Sequence, residues 1–434
     1  MIMLGKLKRL NGAPKKTGEQ YIVGLDIGTE FVKALIGVLK DDKIEIIGVG
    51  RTHQELNDMQ AGAIADITSV VRNCNEALNI AEKQAGTTVR SGVIGIAGEL
   101  VKGTTITVKA SRKDPTKPLE VPEIEKIIGL VQKRAEERAK QQLAWELGGK
   151  EVDVRLVNSA LVGIEIDGYK VTNPVGFQGK DVVVQLYTAF APLIHIGALE
   201  KTAQELDLDL LAVAAEPFAV SRAVIGDDPN ANMSAILMDV GGGTTDIAVV
   251  NDGGVQGTKM FGIGGRAYTR AVEKELDVSF AQAEELKVGL HTNKTPRTEV
   301  PAIEKALKKT ANVWINGVEL ALSEFNKLDH LPNRVLLCGG GSSLDVLVET
   351  LNASQWYGEL PFTRKPVVQY IRPEQVVGIV DTTGDVSDHT FVTAMGLLRV
   401  GADTLQQQDA PPSSASAKSP GGSLKERLDR MLRV

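Results

Sequence analysis

The chain has 434 residues, 43% of them hydrophobic and 24% charged, with a formal net charge of −6. That length leaves room for about two to four folding units with buried cores, and the negative balance argues against a nucleic-acid binder. No run approaches the ~20 apolar residues of a membrane-spanning helix. Cys74 and Cys338 sit in apolar surroundings without metal-ligand spacing, and the histidines are scattered, so a metal site built on either is not expected.

The basic start, residues 1–19, lacks a secretory apolar core and reads as a loose tail, with membrane contact by Met1–Leu4, Lys6, Lys8 and Arg9 as the alternative. From Tyr21, the runs YIVGLDIG, FVKALIGVL and KIEIIGVG predict a β-meander. ITSVVRNCNEALNIAEKQAG then puts Ile67, Val70, Val71, Cys74 and Leu78 on one helix face, with Gly86 as the stop. GVIGIAGELV returns to strand. From about Asp114 to Pro174 the rhythm breaks. Pro115, Pro118 and Pro122 lead into the charged helix EIEKIIGLVQKRAEERAKQQLAWEL, and two strand-like runs follow, EVDVRLVNSALVGIEIDG and KDVVVQLYTAFAP. This stretch reads as an insertion with its own small α+β fold, and HIGALEKTAQEL after it predicts a helix.

At Ile236 the opening pattern returns. GLDIGTEFVKALIG and LMDVGGGTTDIAVVN share the order apolar, Asp, apolar, Gly, turn, strand, and Asp26 matches Asp239 at the same offset as Gly28 matches Gly241. The chain therefore reads as a duplicated domain core. In DVGGGTTD a strand delivers Asp239, and Gly241, Gly242 and Gly243 let backbone N–H groups approach an anion closely. Thr244 and Thr245 add hydroxyls, and a carboxylate at the strand end suits a hydrated Mg²⁺ beside phosphates. Asp26, Gly28 and Thr29 offer the same chemistry from the first copy. A third turn, Gly339, Gly340 and Gly341 in RVLLCGGGSSLDVL, follows a strand and leads towards a helix N-terminus. Any one of these turns alone could be a ligand-free hairpin; the three in this order point to a phosphate clamp. No GxxxxGK[ST] occurs, so this is not a P-loop protein, and the lack of a helix-opening GxGxxG argues against a dinucleotide fold.

These motifs resemble the actin-like ATPase superfamily. The resemblance implies an α/β fold of two ribonuclease-H-like lobes around a nucleotide cleft, holding ATP and Mg²⁺. It makes Asp26, Gly28 and Thr29 the first phosphate turn, Asp239 through Thr245 the second and Gly339–Gly341 the adenosine turn. Asp26, Asp239 and Glu216 (in AAEPFAV) become metal candidates, and Glu284 and Lys287 (in AEELKVG) border the adenosine, with a solvated helix face as the alternative for that last pair. Within the superfamily the chain is similar to the FtsA family of bacterial cell-division proteins. The segment from Ile166 to Gly179, IDGYKVTNPVGFQG, resembles wording of that family's subdomain 1C, which stands in place of actin's 1B. GIGGRAYTRAVEKEL resembles the entry to its subdomain 2B. Glu30 and Phe31 stand where small or polar residues are commoner.

By that likeness, subdomain 1A covers 20–90 and 191–230, with a closing helix at 386–402. Subdomain 1C covers 91–190, 2A covers 231–258 and 331–385, and 2B covers 259–330. A linker, 403–422, precedes a membrane-targeting amphipathic helix, 423–434. There Leu424, Leu428, Met431 and Leu432 fall within an arc of about 100°, and Lys425, Arg427 and Arg430 suit anionic lipid. The family implies a protein that polymerises on the inner face of the cytoplasmic membrane at the division septum. It would bind the FtsZ C-terminal tail through 2B, recruit later division proteins through 1C, and turn ATP over slowly if at all, with no nucleic acid involved. A PilM-like scaffold of a type IV pilus complex is the rival, followed by a small-molecule kinase on the same fold.

Overall fold

The structure, a computed structural model, describes residues 19–40, 43–225, 233–292, 294–353 and 355–408. The predicted meander forms as strands Gln20–Ile27, Phe31–Lys40 and Lys43–His53, each antiparallel to the next. Two further strands, Ser91–Ile96 and Asp209–Ala215, add in parallel beyond the first, and Ile379–Asp381 closes the other edge. The second copy repeats this plan. Ala235–Val240, Thr245–Asn251 and Gly254–Phe261 form an antiparallel meander, with Arg334–Cys338 and Val367–Tyr370 added in parallel beside its first strand. The duplication seen in the turns thus extends to the order and direction of five strands in each lobe.

Helix Ile67–Ala85 packs against the first lobe's meander. It opens on Asp66, whose side chain accepts from the backbone of Thr68 and Ser69, and closes on Gly86 at φ 66°, the left-handed position that glycine takes without strain. Val70, Cys74 and Leu78 are buried as the periodicity requires, but Ile67, at the exposed first position, is 37% accessible and not part of that face. Helices Glu216–Ile225 and Val392–Gln408 pack on each other in the same lobe, and the latter also lies against Gln20–Ile27. A separate core around Trp314, Tyr268, Met238 and Leu337 fills the second lobe.

The region expected as an insertion divides differently from its sequence reading. Ser91–Ile96 belongs to the first lobe's sheet, and an unforeseen strand, Lys102–Ser111, follows it. That strand pairs with Asp181–Pro192, which pairs with Val154–Ile166, and helix Val121–Glu146 covers them through Ile124, Ile128 and Val131. Its sequence, KGTTITVKAS, alternates β-branched and polar residues and offers no continuous apolar run. The closing helix extends to Gln408, past the expected end at 402.

Lys102–Ser111 also pairs with Gly254–Phe261 through Gly257–Thr104 and Thr258–Gly103, so the inserted sheet and the second lobe form one nine-stranded sheet. A Cβ on Gly103 would lie 1.9 Å from Thr258 Oγ1 and 2.6 Å from the Tyr187 hydroxyl. Gly103→Val is expected to part this junction and lower the calorimetric unfolding midpoint by several degrees; an unchanged midpoint would mean that the junction carries no stability.

Candidate nucleotide cleft

A cavity of about 340 Å³ lies where the turns of the two lobes meet. Asp26 reaches it from the end of the first strand, and Gly28 and Thr29 follow in the turn. The turn is anchored from behind by a buried polar chain. Gln54 Nε2 donates to the Gly28 carbonyl (2.8 Å), while Asn73 Nδ2 donates to Gln54 Oε1 (3.1 Å) and to Asp58 Oδ2 (2.8 Å). All three side chains are inside the protein, so each polar group there needs the partner it has.

Asp239, Gly241, Gly242 and Thr244 line the opposite wall. The two turns touch: a Cβ on Gly243 would lie 2.6 Å from Thr29 Oγ1, and one on Gly242 would lie 3.0 Å from Glu30 Cβ. Thr245 does not face the cavity. It opens the strand Thr245–Asn251, whose alternation turns its side chain inward, where the hydroxyl donates to the Ile263 carbonyl (2.7 Å) and accepts from Trp314 Nε1 (2.9 Å). It braces the turn from behind, and its hydroxyl is not available to a ligand.

Gly339, Gly340 and Gly341 form part of the third wall. Gly339 has φ 82°, and a Cβ there would lie 1.9 Å from Asp239 Oδ1 and 2.5 Å from the Val240 carbonyl. Glu284 and Lys287, from helix Phe280–His291, reach the cavity together. Lys287 is 6% accessible, so the solvated-face alternative does not hold for it. Its ammonium donates to Glu284 (2.7 Å), Thr269 Oγ1 (2.8 Å) and the Gly265 carbonyl (3.2 Å).

Four further side chains that the sequence reading did not assign to this site also line the cavity: Lys33, Asp246, Arg266 and Thr393. Lys33 and Asp246 hold equivalent places in the two copies, each paired in register with its lobe's turn aspartate. Their common offset was the available signal. Arg266 Nε donates to Glu30 Oε2 across the lobes (2.8 Å), and the Thr393 hydroxyl donates to Asp239 Oδ2. Neither has a local signature, because its partner lies 236 or 154 residues away.

The floor is acidic. Asp26, Asp239, Asp246 and Glu216 are all buried, and Lys33 donates to Asp26 Oδ2 at 3.0 Å. Burial alone would lower the Lys33 ammonium's pKa, but Asp26, and then Asp239, hold it above its usual value. Burial pushes the Glu216 carboxyl well up, and the charges of Asp26, Asp246 and Asp239 push it further, against the pull of Lys33. Asp246 is raised by burial and by Asp239, and its Oδ1 has no hydrogen-bond partner. Among the described residues no group of three or more His, Cys, Asp or Glu side chains converges to hold a metal by itself. Carboxylates at the end of a phosphate turn nevertheless suit Mg²⁺, which commonly takes one or two of them and fills its shell with water and phosphate oxygens.

Two substitutions should move stability in opposite directions. Lys33→Met strands the Asp26 charge in the interior and is expected to cost about 3 kcal/mol or more in urea unfolding. Glu216→Gln removes a carboxylate whose ionised form is penalised in the folded state. It should raise the thermal midpoint at neutral pH, with the gain vanishing below about pH 4, where the wild-type carboxyl is protonated folded and unfolded. A midpoint lowered by Glu216→Gln at pH 7 would refute this account of the floor.

The FtsA cell division protein family model matches residues 236–396, the stretch that carries the second and third turns. Cell division protein FtsA of Pseudomonas aeruginosa is 26% identical, the match covering 95% of this chain and 97% of that one. FtsA of Neisseria meningitidis serogroup B is 27% identical over 95% and 98%. Among solved structures, the PilM–PilN type IV pilus biogenesis complex aligns with a TM-score of 0.63 at 16% identity, over 88% of this chain and 98% of that one. That likeness concerns the fold, which is the actin-like ATPase fold. Curated relatives are matched over nearly their whole length and the family model falls on the turns themselves, so the chain is similar to the FtsA family of cell-division proteins.

Proposed function

We propose that the chain binds ATP with Mg²⁺ in this cleft, polymerises on the inner face of the cytoplasmic membrane, and tethers FtsZ filaments there. The observation that carries the nucleotide reading is the meeting of three glycine turns above an acidic floor. Backbone N–H groups of the first two turns would hold the phosphate chain, with the Thr29 and Thr244 hydroxyls beside them. The third turn and the helix bearing Glu284 and Lys287 would border the nucleoside. Asp26 and Asp239 would hold the Mg²⁺, which would supply positive charge between the phosphates and the floor. Without it, the buried carboxylates oppose a polyphosphate with Lys33 as their near counter-charge. ATP turnover would be slow, serving to regulate assembly.

Assembly is the second part of the proposal. The amphipathic segment 423–434 lies outside the described residues. Leu424, Leu428, Met431 and Leu432, at about 1.5 kcal/mol each, give only ~6 kcal/mol before ordering costs. One such tail is a weak anchor. Many tails along a polymer hold through effective concentration. The FtsZ tail would dock on 259–330, where Lys308 and Lys309 are exposed. Arg266 is turned into the cleft against Glu30 and is not free to serve there, while Lys305 is paired with Glu275. Later division proteins would meet the inserted sheet and its helix.

The cleft is tested by titrating a fluorescent ATP analogue. Gly241→Val and Gly339→Ala should each weaken binding at least about tenfold, and undiminished binding by both would end the clamp reading. Removing 423–434 should abolish flotation with anionic vesicles while leaving nucleotide binding intact. Full flotation by the truncated chain would discard the tether and leave a scaffold of the pilus-complex kind as the better reading.

A further inference from the structure

The helix Val392–Gln408 starts at the cavity and belongs by its packing to the first lobe. Its second residue, Thr393, is 3% accessible, and its hydroxyl donates to Oδ2 of Asp239, which stands on a strand of the second lobe and is 7% accessible. This buried hydrogen bond therefore crosses between the lobes at the floor of the cleft. The other oxygen of the same carboxylate, Oδ1, faces the backbone of the third turn, so closely that a Cβ at Gly339 would sit 1.9 Å from it. Lys33 is committed to Asp26. Thr393 is thus the hydrogen-bond donor that the described residues give the Asp239 side chain.

A carboxylate on one side-chain bond can rotate, and a donor fixed to one oxygen sets the direction in which the other presents its lone pairs. We propose that Thr393 is a positioning residue: its hydroxyl fixes the Asp239 carboxylate in the orientation that a divalent cation beside the bound nucleotide requires. Thr393 touches neither nucleotide nor metal in this scheme. Its effect passes through Asp239, and it makes a residue of the closing helix part of cation recognition. The inference rests on the nucleotide reading above.

The test is titration of the full chain with a fluorescent ATP analogue, once with Mg²⁺ and once with EDTA. Wild type should bind more tightly with Mg²⁺. Thr393→Val keeps the shape of the side chain and removes the hydroxyl. It should reduce the Mg²⁺ advantage about tenfold, within the range seen when a group supporting a metal ligand is lost, because binding weakens far more in Mg²⁺ than in EDTA. Thr393→Ser, which restores the hydroxyl, should restore the advantage. If the valine variant does not fold, Thr393→Ala removes the same hydroxyl and is read in the same way. Equal weakening in Mg²⁺ and EDTA, or no recovery with serine, would overturn the positioning role while the nucleotide site stands. A wild-type chain that binds the analogue in neither condition would overturn the nucleotide reading and this inference together.

Discussion

With a side chain at residue 339, its Cβ would overlap Asp239 Oδ1 at 1.9 Å, so the third turn can reach the second only as bare backbone. Much of the cleft follows from that contact. Arg334–Cys338 runs parallel to Ala235–Val240 and brings Cys338 beside Asp239 in register. The chain must then leave the strand at once, at a positive φ, before it strikes the turn next door. The same closeness recurs across the lobes, where Gly243 meets Thr29. Three glycine segments are therefore a packing requirement as well as a binding device. A larger residue at Gly243 or Gly339 would push the walls apart before a ligand arrived.

The duplicated lobes place opposite charges at equivalent sites. Lys33 and Asp246 each stand across the hairpin from their lobe's turn aspartate, but the first copy gains an ion pair and the second a repulsion. Asp246 is consequently held up by burial and by Asp239, and the Thr244 hydroxyl that donates to it at 3.2 Å relieves this only in part. The asymmetry gives the cleft a direction. One wall carries its own cation, and the other has a charge excess that an arriving cation would relieve. A symmetric duplication with two lysines would attract phosphate but leave a metal little to do.

Much of this was legible in the sequence because it is local. The β-meander, the Gly86 stop and the glycine turns depend on residues a few positions apart, where alternation and φ preference are written directly. The recurrence of Asp26–Gly28 at Asp239–Gly241 needed only comparison of the chain with itself. What escaped was set by partners far away. Lys102–Ser111 is mixed in polarity because one of its neighbours lies in the insertion and the other in the second lobe. Thr245 looked like its neighbour Thr244 until strand alternation turned it to Trp314. Glu30, unusual for such a turn, becomes intelligible once Arg266 and His53 are seen on its two oxygens.

The closing helix ties these observations to the proposed assembly. Seventeen residues at about 1.5 Å each make a rod of roughly 25 Å, with Thr393 on the cleft floor at one end. Towards the other, Asp403 accepts from both Arg399 and Arg222. Along the way the helix packs closely over Gly24 of the first strand and against helix Glu216–Ile225. Such a rod cannot slide by itself, because close-packed interiors shift as bodies and not as single elements. A change at Asp239 would therefore reach the first lobe as a whole through Thr393. On the proposed reading, a tail at that position does more than anchor. A membrane contact made through it would hold the first lobe, and a change in the cleft would then be expressed in the second lobe, the lobe proposed to carry FtsZ.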